Sequence, residues 1–111
     1  MAIKKSDRIK VYEKYKGHCA YCGKELKIKE MQVDHITPKD MRGIDDMSNY
    51  NPSCRRCNFY KSTFPIYMFR KNIQTIQDRI RKIFIVKIAE DYGIIEFKPF
   101  DGKFYFEKEV E

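Results

Sequence analysis

All four cysteines of this 111-residue chain fall into two C-x-x-C pairs, Cys19/Cys22 and Cys54/Cys57. That spacing lets two thiolates meet one ion across a tight turn. Two such pairs complete the tetrahedron that zinc prefers. A lone C-x-x-C can be a redox site, but two pairs with no other cysteine point to one structural zinc. A closed four-thiolate site has no open position, so its job is to hold rather than to react. The consequence for folding is strong: the chain from 23 to 53 is tied at both ends. The need for such a tie is plain, since 35% of the residues are charged and the core must come from few apolar positions, 8 Tyr and 8 Phe among them.

Inside the tied segment stands VDHITP, residues 33–38. Val33 and Ile36 read as strand residues, and side chains alternate along a strand, so Asp34 and His35 should point to opposite faces. One of them can then face a metal while the other moves a proton. The plain alternative is an edge strand with two solvated polar residues. His18, beside Cys19, reads as a solvated knuckle residue, because four cysteines already fill the zinc shell.

The formal net charge is +7, and it is uneven: residues 1–65 carry 14 Lys and Arg against 8 Asp and Glu, residues 66–111 only 9 against 8. The positive field therefore belongs to the half that holds VDHITP, and it favours a polyanion, most simply nucleic acid. The start, MAIKKSDRIK, has no apolar core of a signal peptide. The longest apolar stretch, IFIVKIA, is interrupted by Lys87 and too short for a bilayer. These features predict a cytoplasmic protein without a membrane span. In a reducing compartment cysteines serve metals more often than disulfides.

Along the chain, Ser6 caps an expected helix with Ile9, Tyr12 and Tyr15 on one face, ended by Gly17. Residues 30–36 read as a strand, 39–53 as a loop rich in turn formers, and 54–62 as a short helix. From Pro65 to about Tyr92, the positions Ile73, Ile76, Ile80, Ile83 and Phe84 predict one long helix, ended by Gly93. The last segment, IIEFKPFDGKFYFEKEV, reads as a β-hairpin about Asp101-Gly102 with Ile95, Phe97, Phe104 and Phe106 on one face. The class is α+β, in one domain: a core over 1–65 and an extension over 66–111.

Taken together, CAYCG … VDHITPKDMRG … DDMSNYNPSCRRCNFYKS resembles the HNH endonuclease family in its zinc-stapled form, over roughly residues 8–63. The resemblance implies a ββα-metal core, two strands and a helix gripping one catalytic divalent ion. It places the motif histidine at His35, the middle asparagine at Asn49 and the third position at Asn58. The third position is Asn where the founding pattern has His, as in HNN members of the family. The Gly-Gly usual after the proline is reduced to Gly43.

On this resemblance His35 is the expected general base, since imidazole titrates near ~6.5. Asp34 and Asn58 are the expected ion ligands, and oxygen donors of this kind suit Mg2+ or Mn2+. Asn49 is expected to fix the loop and the histidine. Arg55, Arg56 and Lys61 are expected phosphate contacts, although each also suits an ordinary solvated position. Asn51 reads as turn chemistry. The expected activity is metal-dependent hydrolysis of DNA, double-stranded, with a homodimer as one route to double-strand breaks. The first alternative is a zinc-stapled nucleic-acid-binding module without activity. The second is a zinc domain for protein interaction, which the basic bias of 1–65 disfavours.

Overall fold

The computed structural model describes residues 3–108. It opens with helix α1 (Lys5–Glu13), which begins at Lys5 and so takes Ser6 into its first turn rather than using it as a cap. The helix stops at Glu13, short of the end expected at Gly17, which instead closes the following turn at φ +80. A side chain there would also meet the hydroxyl of Tyr12 at 2.8 Å.

Strands β1 (Gln32–His35) and β2 (Tyr50–Ser53) pair antiparallel, with Asp34 opposite Asn51 and His35 opposite Tyr50. The loop expected over 39–53 therefore ends at Asn49, and its last four residues are the second strand. The composition NYNPS hides this strand, because Asn, Pro and Ser are turn formers. Pro52 is tolerated because, among the described residues, β1 is the only strand that pairs with β2. The amide of Ala20 donates to the Pro52 carbonyl at 2.8 Å, which lays the first cysteine turn against β2. Helix α2 (Arg55–Lys61) follows directly, capped by the Cys54 sulfur, which accepts from the amide of Cys57. The result is a β-hairpin followed by a helix, beside a four-cysteine cluster.

The long helix expected from Pro65 to Tyr92 is three helices: α3 (Ile66–Gln74), α4 (Ile76–Ile80) and α5 (Phe84–Asp91). Thr75 breaks the first junction. Its hydroxyl bonds back to the carbonyls of Lys71 and Asn72 at 3.1 and 3.3 Å, a pattern that bends helices. Ile83 breaks the second, at φ −82 and ψ 125. Gly93 closes α5 at φ +71.

The expected C-terminal hairpin does not form among the described residues. Residues 94–104 run without strand pairing into the short helix α6 (Tyr105–Lys108). The aromatic residues assigned to a hairpin face go elsewhere. Phe104 stacks on Phe69 with centroids 5.0 Å apart, and Tyr21 meets both rings edge-on at 5.3 and 5.4 Å. Burying these rings outweighs a marginal two-stranded ribbon. The backbone donors follow the rings: the amides of Tyr105 and Phe106 bond the carbonyls of Tyr21 and Ala20. Arg70 then locks the segment through Glu107, at 2.6 and 2.8 Å, and the Gly102 carbonyl. The core is thus one cluster of Val11, Cys19, Tyr21, Leu26, Met31, Tyr50, Cys54, Phe69 and Phe104, directly under the ββα unit. No helix among the described residues is long and apolar enough to cross a membrane.

Candidate active site

The four cysteine sulfurs lie within 4.8 Å of one another and none is in a disulfide. Zn–S bonds of about 2.3 Å in a tetrahedron require sulfurs about 3.8 Å apart, and Cys22 Sγ lies 3.9 Å from Cys54 Sγ. Backbone amides support the sulfurs: Cys19 accepts from Tyr21 and Cys54 at 3.4 and 3.3 Å. The hydrogen bond from Cys57 pulls the Cys19 thiol down to about 4, and the same contact pushes Cys57 up. The donor set fits a structural zinc, with no exposed oxygen or nitrogen ligand in the cluster. His18 stays out of it, its Nδ1 3.2 Å from the Tyr15 carbonyl and its ring stacked on Tyr105.

Across the hairpin, Asp34, His35 and Asn58 line one cavity of about 420 Å³, together with Val33, Pro38, Lys39, Asp40, Ser62 and Thr63. Asp34 is buried and His35 only partly so, but both border this one cavity rather than two separate faces. The carboxamide of Asn58, on the first turns of α2, has no hydrogen-bond partner among the described residues and borders the cavity.

Asp34 is held by a buried network that sequence reading did not find. Tyr21 Oη donates to Asp34 Oδ2 at 2.5 Å, and Lys61 Nζ stands 3.1 Å from the same oxygen. Lys61 also donates to the His35 carbonyl at 2.9 Å, tying α2 to β1. Its side chain is 0% exposed, so its ammonium points inward to Asp34, not out to solvent. Asn51, placed by the sequence in a turn, sits fully buried in β2 and donates to Tyr21 Oη at 3.5 Å. Tyr21 has one proton and gives it to Asp34, so Asn51 meets it as a donor, and Asn51 Oδ1 is left without a partner.

Burial raises the carboxyl of Asp34 above the ordinary range, while Tyr21 and Lys61 pull the other way. Burial, and then the Asp34 charge, push Tyr21 up and keep it a donor. The folded chain binds the Asp34 proton more tightly than the unfolded one. This group's contribution to stability therefore falls as pH rises from the unfolded carboxylate value, near ~3.9, through the raised folded value. Lys61→Met removes a pull on the ionised form and leaves a buried charge unpaired. It is expected to destabilise the fold by about 3–5 kcal/mol at pH 7, less at pH 4. Adding Asp34→Asn should recover much of the loss, read by thermal unfolding at the two pH values. Equal losses at both pH values would contradict this pairing.

His35 Nε2 lies 2.8 Å from Asp45 Oδ1, and Lys39 holds the other oxygen at 2.9 Å. The ring packs edge-on to Tyr50, centroids 5.3 Å apart. Lys39 first, then His35, hold the Asp45 carboxyl below its usual range. Nδ1 has no hydrogen-bond partner among the described residues. Asn49, the expected orienter, touches the loop rather than the ring. Its Oδ1 accepts from the Thr37 amide at 2.9 Å, and its Nδ2 donates to the carbonyls of Thr37 and Ile44, each at 3.0 Å. Gly43 completes this closure, because a Cβ there would fall 1.8 Å from the Thr37 carbonyl oxygen. Arg55 and Arg56 project from α2 into solvent. They lie on a separate groove with Lys24 and Lys29, not on the Asp34 cavity. Asp45 and Tyr21 carried no signal in the sequence beyond their residue types, because their partners are brought in by the loop and the first cysteine turn.

Comparison with known proteins agrees with this architecture. The family model for HNH endonuclease matches residues 19–64. A 55-residue stretch, 49% of the chain, is 34% identical to the CRISPR-associated endonuclease Cas9 of Corynebacterium diphtheriae, and covers 5% of that protein. The crystal structure of the Type II-C Cas9 enzyme from Actinomyces naeslundii superposes on 64% of the chain with a TM-score of 0.54 and 27% identity, over 8% of its own length. The chain therefore spans only a small part of the relatives it matches. Residues 19–64 are thus an HNH endonuclease domain with a four-cysteine cluster, related to the matching segment of Cas9.

Proposed function

We propose that this chain is a metal-dependent DNA endonuclease in which His35 is the general base. The observation that carries the reading is the convergence of Asp34, His35 and Asn58 on one cavity, in a chain whose family hydrolyses phosphodiesters. Asp45 holds Nε2 of His35, which leaves Nδ1 to take the proton of the attacking water. The carboxylate thus fixes the ring much as the acid of a catalytic triad fixes its histidine. Asp34 and Asn58 would hold a divalent ion of the magnesium or manganese class, which supplies positive charge to the phosphate and to the leaving oxygen. Their hard oxygen donors suit such an ion. Lys61 offsets the Asp34 charge from behind and, with Tyr21, keeps the carboxylate in place. Asn49 and Gly43 hold the loop that carries Asp45 close to the strand. One such centre cuts one strand.

Incubating an end-labelled duplex with the zinc-loaded protein, with and without Mg2+ or Mn2+, tests the reading. Cleavage only with added ion is expected. Binding without any cleavage would favour a nucleic-acid-binding module. Asp45→Asn is expected to lower kcat about 10-fold or more, since the Asn amide can donate to Nε2 and so favour the tautomer whose proton sits on Nδ1, with the melting temperature unchanged. Wild-type kcat in Asp45→Asn would remove Asp45 from the mechanism.

A further inference from the structure

Phe59 is 85% exposed on α2, directly after Asn58. Arg55 and Arg56 stand four and three residues before it, so all three share one face of the helix. Both arginines are exposed and without a partner among the described residues. Across a groove of about 840 Å³ this face meets Lys24 and Lys29, with Glu25, Glu30 and Gln32 also on its walls. The four cations outnumber the two carboxylates, so the groove keeps a positive balance.

A single exposed ring is ordinary by itself, and several others are exposed in this chain. The setting of Phe59 selects its cover. Cations at this spacing suit phosphates, and a bare aromatic face between them suits a nucleobase. A base offers its face only where it is unpaired, because in a duplex both faces are stacked on neighbours. Asn58, one residue away, borders the proposed cleavage cavity. A strand tracking from that cavity onto the groove would therefore meet Phe59 close to the scissile phosphate.

We propose that Phe59 stacks on an unpaired base beside the cut. The preferred substrate is then a strand that is single or locally opened at that point. This inference rests on the nuclease reading for its position but not for its test. The chain has no tryptophan, so Phe59→Trp installs a single fluorescent reporter at an exposed position that the fold does not need. The zinc-loaded Phe59→Trp protein is titrated with a single-stranded oligonucleotide and with the matching blunt duplex, in magnesium-free buffer so that nothing is cut. Binding is followed separately by anisotropy of a label on the DNA.

The expected result is strong tryptophan quenching by the single strand and little by the duplex. In parallel, Phe59→Ala should weaken single-strand affinity by roughly 5- to 150-fold, the worth of one base–aromatic stack, and leave duplex affinity within about twofold. Arg55→Ala and Arg56→Ala should weaken both ligands and flatten the salt dependence. Three results would overturn the proposal: single strand bound without quenching, equal quenching by duplex as expected of an intercalating wedge, or no binding of either DNA. A protein that stacks but never cuts would sink the nuclease reading alone. A protein that cuts duplex while Phe59→Ala changes nothing would sink only this one.

Discussion

The Cys54→Ser protein is expected to lose its zinc and to melt more than ~10 °C below wild type, or to show no cooperative melt. Cys54 is 2% exposed, belongs to the core cluster, caps α2 and accepts a hydrogen bond through its sulfur. Its thiolate joins the end of β2 to the first cysteine turn, so its loss frees the two ends of the segment that carries Asp34, His35 and Asn49. In small zinc domains metal binding is folding free energy, about 10–16 kcal/mol in finger peptides. For a chain of this size each kcal/mol moves the melting temperature by several degrees. Zinc content per chain and a melting curve read the outcome. Unchanged melting at zero zinc would show that the aromatic cluster of Tyr21, Phe69 and Phe104 holds the hairpin without the metal.

His35→Ala is expected to lower the cleavage rate by about 10²–10⁴-fold, the usual contribution of a positioned general base. Stability should barely change. The ring is 23% exposed, and its contacts are to Asp45 and the edge of Tyr50. DNA affinity should also hold, because Arg55, Arg56, Lys24 and Lys29 lie on another groove. A large loss of binding would instead make His35 a substrate contact.

Short-range features of this architecture were legible in the sequence, and long-range ones were not. The cysteine frame was legible because C-x-x-C fixes its own geometry. The different burial of Asp34 and His35 was legible because strand alternation needs only neighbours. Gly93 ended its helix as expected for the same reason. Strand β2 was obscured by its turn-forming letters, yet it pairs because β1 and the Ala20 amide supply partners from far along the chain. The break at Thr75 depends on a hydroxyl choosing its own backbone, which apolar periodicity does not register. The C-terminal hairpin failed because Phe104 and Phe106 have better partners in Tyr21 and Phe69 than in each other's strands. In the site, Lys61 read as a phosphate contact or a solvated lysine on helical spacing, and it is neither, being fully buried. Its burial follows from Asp34, 27 residues earlier. Asp45 and Asn51 sat among turn residues, and only the closed loop gives one of them a histidine and the other a tyrosine.

The cavity of Asp34, His35 and Asn58 is proposed to hydrolyse DNA with a divalent ion. Its most direct test is supercoiled plasmid incubated with zinc-loaded wild type or His35→Ala, each with and without added Mg2+ or Mn2+. Relaxed or linear product is expected only for wild type with the ion. Product that persists in His35→Ala at the wild-type rate, or without added ion, would contradict it.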